Sequence, residues 1–336
     1  MNHRPIHTPI AASIAMLVLI LDSVTALSGA KSGIEICLQS VIPALFPFFV
    51  LSILLTSGLT GRSLSILHPF ATLTGIPVGS ESILLTGLLG GYPVGAQSVS
   101  TAHRMGALTD SEAARMTVFC NNPGPAFIFG MTAAFLPSPG YAWLLWLILI
   151  FSALLTALIL PGRTNRRITL PPSNPPTIPQ ALTASLKIMA SVCGWVVMFR
   201  VLLAFLQRWV FWLLPEWLQA LLIGILELTN GCVSLSQVEH IGLRFLLCAG
   251  MLSFGGLCVW LQTLSVADTI GLRKYLPGKL LQSTIAVVLA LLSQHLLPEH
   301  AQMDIPTPLW VIISLFFVLF LPFRQKSSSI PAEAGV

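Results

Sequence analysis

The sequence predicts an all-α polytopic membrane protein, with about eight transmembrane helices plus two re-entrant helical hairpins arranged as an inverted repeat. Three observations lead there. Of the 336 residues, 55% are hydrophobic and only 9% charged, at a mean hydropathy of +0.86, whereas soluble globular domains carry about a quarter charged residues. The apolar residues gather into runs near the ~20 residues that a helix needs to cross the hydrocarbon. Between those runs lie Gly- and Pro-rich clusters at which a helix must break. This composition excludes a soluble enzyme and a disordered chain. The 17 Lys and Arg against 12 Asp and Glu are thinly spread and form no nucleic-acid-binding stripe.

In chain order the candidate spans are Ile10–Leu27, Gly33–Gly58, Ala113–Leu136, Tyr141–Leu160, Ala181–Leu206, Ile241–Val266, Leu280–Leu297 and Leu309–Leu321. The first, preceded by Arg4 and followed by Ser28-Gly29-Ala30, shares features with a signal peptide but is read as an uncleaved span. Lys and Arg in short loops mark the cytoplasmic side. The loop Pro161–Gln180 holds Arg163, Arg166 and Arg167 with no acidic residue, and Pro171, Pro172, Pro175, Pro176 and Pro179 give it the character of a linker. With that loop and both termini inside, Arg62, Arg104, Arg273, Lys274, Arg324 and Lys326 also fall inside, provided two segments dip in without crossing. Lys31 is the exception, and Glu35 stands one helical turn away to pair with it.

The two dips are Ser82–Arg104, broken around Gly90-Gly91-Tyr92-Pro93, and Leu214–Val238, with an apolar arm to Leu228 and a break at Thr229-Asn230-Gly231. Each half then reads as a long span, a hairpin and a span broken in its middle, at Asn121-Asn122-Pro123-Gly124-Pro125 and at Ser253-Phe254-Gly255-Gly256. The charge rule runs the halves in opposite directions. The divisions are an N-terminal helix (1–30), a first repeat with a following span (31–160), a cytoplasmic linker (161–180), a second, inverted repeat (181–268), a two-helix segment (269–322) and a cytoplasmic tail (323–336).

Paired interruptions in inverted halves point to a transporter's binding site. Broken backbone at membrane depth is tolerated only where it is buried in protein or lines a polar cavity. Helices restarting after Pro93 and Pro123 aim free N–H groups and positive dipole ends inward, which suits an anion. The candidate substrate-binding residues are Gly91, Tyr92, Pro93, Gln97, Ser98, Asn121 and Asn122 from the first half. Thr229, Asn230, Ser253 and Gln262 join them from the second. Tight packing at Gly and Pro kinks is the structural alternative for these residues. Glu227, ionisable at membrane depth, is the candidate for coupling to a proton or Na⁺; a shallow, interfacial hairpin is its alternative. Lys187 and Arg200 lie within one apolar span and could face a substrate; Arg200 could also snorkel.

Other chemistry is not signalled. The six Cys form no C-x-x-C pair and read as small packing residues, and the seven His form no H-E-x-x-H. There is no phosphate-binding loop and no serine elbow, so neither enzymatic activity nor a cofactor is expected. Thr109-Asp110-Ser111-Glu112 is a capping box that opens a helix.

Gly90-Gly91-Tyr92-Pro93-Val94-Gly95-Ala96 and Phe119-Cys120-Asn121-Asn122-Pro123-Gly124-Pro125-Ala126-Phe127-Ile128-Phe129-Gly130 resemble the YlbJ-like sporulation integral membrane proteins, which belong with the nucleoside-recognition or Gate domain group. Gly224-Ile225-Leu226-Glu227-Leu228-Thr229-Asn230-Gly231 and Leu252-Ser253-Phe254-Gly255-Gly256-Leu257-Cys258-Val259 add to that resemblance, which runs from Lys31 to Ala267. It implies a spore-forming bacterium and a membrane protein whose relatives move dipicolinic acid, a small aromatic dicarboxylate, across the outer forespore membrane. The expectation is therefore secondary transport of a small anionic solute, dipicolinic acid by resemblance, across a bacterial cell membrane. The partners are that solute, the lipid bilayer and a coupling proton or sodium ion, with no nucleic acid and an oligomer left open. The alternatives are a nucleoside or cation carrier of the same architecture, or a non-transporting scaffold in spore assembly.

Overall fold

The computed structural model describes residues 7–59, 64–170 and 176–293. The candidate span Leu309–Leu321, the last residues of the seventh span, the tail 323–336, Arg62, Arg324, Lys326, Pro171, Pro172 and Pro175 lie outside the described residues. Everything described is helical or loop apart from one isolated bridge between Val78 and Arg167.

The first boundary differs from the sequence expectation. Helix α1 (His7–Leu21) ends before Asp22, whose carboxylate accepts the Thr25 N–H (3.2 Å) and so opens α2 (Ser23–Ile36). An N-capping Asp inside an apolar run thus splits Ile10–Leu27, and Lys31 lies within a helix. Glu35 accepts from the Gln39 amide (3.0 Å) one turn further on. A π turn at Cys37–Val41 joins α2 to α3 (Ile42–Leu59).

Short helix α4 (His68–Thr74) leads to the first hairpin, α5 (Glu81–Leu89) and α6 (Val94–Arg104). These arms have 9 and 11 residues. At about 1.5 Å per residue neither crosses a ~30 Å hydrocarbon layer. The capping box forms as expected: Glu112 N–H donates to Thr109 Oγ1 (3.3 Å) and Thr109 N–H to Glu112 Oε2 (2.9 Å), starting α7 (Asp110–Cys120). Ala113–Leu136 is not one span. Pro123 and Pro125 lack N–H groups, so the chain runs extended from Asn121 (φ −110°, ψ 93°) before α8 (Pro125–Gly130), and α9 (Pro139–Ile159) follows.

The linker docks onto the helices. Val78 N–H donates to Arg166 O and Ile168 N–H to Val78 O, each at 2.9 Å. Arg166 pairs with Glu112 (2.6 Å), Arg163 donates to Leu73 O, and buried Arg115 donates to the carbonyls of Thr74, Gly75 and Ala157. Arg166 is therefore compensated by an acid in the first turn of α7.

The second half repeats the order. Helix α10 (Ile178–Trp209) is followed by the hairpin α11 (Glu216–Leu226) and α12 (Leu228–Ser234), the broken pair α13 (Ile241–Phe254) and α14 (Gly256–Val266), and α15 (Tyr275–Leu292). The second hairpin breaks at Glu227 (φ −146°, ψ 119°), earlier than expected, so Thr229, Asn230 and Gly231 are helical. Its carboxylate caps the new helix at once. Corresponding elements also touch: α10 packs along α2 and α3, and α15 against α9.

Five stretches among the described residues are long and apolar enough to cross a bilayer: Ser23–Leu55, Pro139–Ile159, Ile178–Trp209, Ile241–Val266 and Leu272–Leu292. Leu147 and Phe151 on α9 and Leu186, Met198 and Leu202 on α10 point outward. Such a surface suits lipid and not water. The chain is an all-α, multi-pass membrane protein.

Candidate functional site

Each hairpin closes through one glycine on each arm. A Cβ on Gly95 would stand 1.8 Å from the Cys120 carbonyl oxygen and 3.0 Å from Gly87 Cα, and one on Gly231 would stand 2.3 Å from Gly224 Cα. This close approach holds the first turn against the extended break after α7, where a Cβ on Gly91 would lie 2.9 Å from Gly124 N. Gly255 and Gly256, at φ +87° and +80°, form the break of the second half. A Cβ on Gly255 would meet the Tyr92 hydroxyl at 2.9 Å, and one on Gly256 would meet the Gly224 carbonyl oxygen at 2.9 Å. The two hairpins therefore meet on either side of one glycine pair.

Around the first turn the polar side chains form a buried network. Asn121 Nδ2 donates to Thr263 Oγ1 and to Tyr275 Oη, both at 2.9 Å, while its Oδ1 accepts the Ala96 N–H (3.4 Å) in the first turn of α6. Asn122 Nδ2 donates to Phe119 O (2.6 Å), and its Oδ1 accepts from Gln282 Nε2 (2.7 Å). Lys279 stands at the centre. Its Nζ donates to Asn121 O (2.8 Å) and Gln282 Oε1 (2.9 Å), with a longer contact to Asn122 Oδ1 (3.4 Å). The Tyr92 ring lies 5.4 Å from Nζ, and the Tyr92 hydroxyl donates to Leu252 O (3.1 Å) at the end of α13. Asn121, Thr263, Lys279 and Gln282 are all 0% exposed. Lys279 has no acidic partner among the described residues.

Around the second turn the charge is met locally. Glu227 Oε1 accepts the Thr229 N–H (3.0 Å), and Oε2 accepts the Asn230 N–H (2.6 Å) and Asn230 Nδ2 (2.7 Å). A carboxylate receiving three N–H groups at a helix start is an N-cap reinforced by the dipole. Glu227 is 2% exposed, so the carboxylate is buried within the protein.

The remaining sequence candidates divide. Gly91, Tyr92, Pro93, Asn121 and Asn122 come together in the first network, and Thr229 and Asn230 at the second turn. Gln97 is exposed on α6, and Ser98 donates to Val94 O (3.0 Å) in its own helix. Gln262 Nε2 donates to Cys258 Sγ (3.2 Å). The Ser253 hydroxyl is buried at the α13 break without a hydrogen-bond partner. Lys187 is exposed on α10, and Arg200 donates to Ser32 Oγ (3.1 Å) and Gln207 Oε1 (3.2 Å), away from the network. Lys279, Gln282, Tyr275 and Thr263 escaped the sequence reading. The signal was present as Tyr275, Lys279 and Gln282 at i, i+4 and i+7, a polar stripe on an otherwise apolar helix.

No family model matches the chain, and no solved structure matches it. The curated proteins include the sporulation integral membrane protein YlbJ of Bacillus subtilis (strain 168), 30% identical over 138 residues, 40% of this chain and 34% of the relative. The aligned stretch thus spans about a third of that relative's length. Over it, this multi-pass membrane protein is similar to a sporulation integral membrane protein, in agreement with the resemblance carried by its Gly- and Pro-rich motifs.

Proposed function

We propose that the protein is a secondary transporter of a small anionic solute, with Lys279 as the group that meets the solute's carboxylate. The observation that carries this reading is a fully buried lysine whose hydrogen-bond partners are all neutral. An ammonium taken out of water without a counter-charge is strongly unfavourable, and an incoming carboxylate supplies what is missing. Two buried, unpartnered hydroxyls add capacity to bind it: Ser253 at the α13 break and Ser52, near Gly90. Tyr92 of the first hairpin faces Nζ, and both hairpins pack against the neighbouring Gly255–Gly256 break, which supports a site between two repeats. The burial of the network corresponds to an occluded state, with access alternating as the halves rock.

Dipicolinic acid is the candidate solute that the family resemblance implies, and the outer forespore membrane the corresponding location. The docked arginine loop faces the cytoplasm in this scheme. Purified full-length protein in proteoliposomes tests the reading through uptake of labelled dipicolinate against uridine and Na⁺ as competitors. Saturable dipicolinate uptake unaffected by uridine is expected. Uridine or cation flux without dipicolinate flux would assign the architecture to a different cargo, and no flux of any of them would favour a scaffold.

A further inference from the structure

We infer that Lys279 also carries the coupling ion: its amine takes up one proton as the solute carboxylate binds and gives it back as the carboxylate leaves, so that solute and H⁺ move together. This rests on the carboxylate reading above. The hydrogen-bond geometry around Nζ supports it. Nζ is fully buried and meets three neutral oxygens, Asn121 O at 2.8 Å, Gln282 Oε1 at 2.9 Å and, more distantly, Asn122 Oδ1 at 3.4 Å, the last of which already receives Gln282 Nε2 at 2.7 Å. Neutral acceptors do not repay the desolvation of a charge as a counter-ion does, so the protonated form gains most when a carboxylate arrives beside it. In the balance, a proton from the entry side joins the nitrogen lone pair, the ammonium and carboxylate cross as a pair, and the proton leaves to the exit side. No other bond changes.

Among the described residues no acid stands beside Nζ to balance an ammonium when the solute is absent. The Tyr92 ring faces Nζ from the hairpin turn, Cys120 from the end of α7, and Tyr275 stands one turn away on α15, hydrogen-bonded through Asn121. Of the other elements packed on α15, α9 offers only Tyr141, and α13 offers Cys248 and Arg244, whose guanidinium is bonded to Val238 O and Phe135 O. Arg273 and Lys274 precede α15, and the acids of α7 are engaged far from Nζ, Asp110 with His103 and Glu112 with Arg166. No carboxylate faces Lys279 from any of these elements. A permanent charge there would hinder the return of the empty carrier, which a neutral amine permits.

The test is dipicolinate uptake into proteoliposomes containing a pH-sensitive dye. The wild-type protein should acidify the lumen in step with uptake. In Lys279→Arg, whatever dipicolinate is still moved should carry no proton and acidification should be lost, because a guanidinium keeps its proton. Should that variant fail to fold, calorimetry of dipicolinate binding to the wild type in two buffers of different ionisation heat reads the proton directly, with net proton uptake expected. Dipicolinate uptake without acidification, binding heats independent of buffer, or acidification persisting in Lys279→Arg would each overturn the inference. A wild-type protein that neither binds nor moves dipicolinate overturns the carboxylate reading itself.

Discussion

The two hairpins have one plan and opposite electrostatics. Both break in a short polar turn, both close through a glycine on each arm, and both touch the Gly255–Gly256 pair or its neighbours. At the second turn an acid is satisfied by the hairpin's own N–H groups. At the first, the charged group comes from α15 and finds only amides, a carbonyl and an aromatic face. The same topology thus provides a self-capped acid in one half and, in the other, a buried lysine with no acid beside it among the described residues. That second arrangement is where an anionic solute has something to add.

The largest effect should come from the glycine contacts, and the halves should differ in how it can be relieved. Gly87→Ala places a Cβ 1.9 Å from the Cys120 backbone oxygen, and should cost about 3 kcal/mol or prevent folding. Gly224→Ala meets the Met251 terminal methyl at 2.1 Å, a flexible end that can move, so about 1 kcal/mol is expected. Thermal unfolding in detergent should show the Gly224 penalty vanishing in a Met251→Ala background, with the Gly87 penalty unchanged. Equal behaviour of the two would remove the contrast in packing.

Next come the asparagines. Asn121→Ala removes two donated bonds and one accepted bond within a buried network, and should lower stability by about 2 kcal/mol. Asn122→Ala should weaken dipicolinate binding about tenfold, the loss of one hydrogen bond to a charged group. Asn230→Ala takes only the side-chain amide from Glu227, which keeps both backbone donors, so dipicolinate affinity should not move. Calorimetric titration of the three variants separates a binding turn from a structural one.

The smallest effect lies at the loop end of α7. Burial pushes the Glu112 carboxyl up, but the Arg166 guanidinium and the Thr109 N–H and hydroxyl more than offset this and hold it below its ordinary value. A depressed carboxyl contributes stability that is full above the unfolded value of about 4.3 and is lost as pH falls through the folded one. Glu112→Gln should therefore unfold more easily at neutral pH, by about 1 kcal/mol for a buried acid paired with a partly exposed guanidinium, and its cap. That difference should shrink on acidification below the ordinary carboxylate range.

Three of the four breaks were legible in the sequence because Pro removes a donor and Gly admits positive φ, at Gly90–Pro93, Asn121–Pro125 and Gly255–Gly256. The fourth was misplaced because hydropathy stays high to Leu228 and the cap comes from a side chain, Glu227. Asp22 hid for the same reason, as one polar residue inside an apolar run. Lys279 was missed because it stands one residue before the apolar run that starts at Leu280, outside every candidate span. Only its packing among α7, α13 and α9 reveals that the polar stripe of α15 faces inward.

The central contrast between the two charged groups can be measured in one experiment, dipicolinate uptake by Lys279→Met and Glu227→Gln reconstituted at equal protein density. The account predicts that Lys279→Met abolishes uptake, while Glu227→Gln, which can still accept from Thr229 and Asn230 through its amide oxygen, transports at a reduced rate with the same proton dependence. Full uptake by Lys279→Met, or proton dependence lost in Glu227→Gln and kept at Lys279, would contradict it.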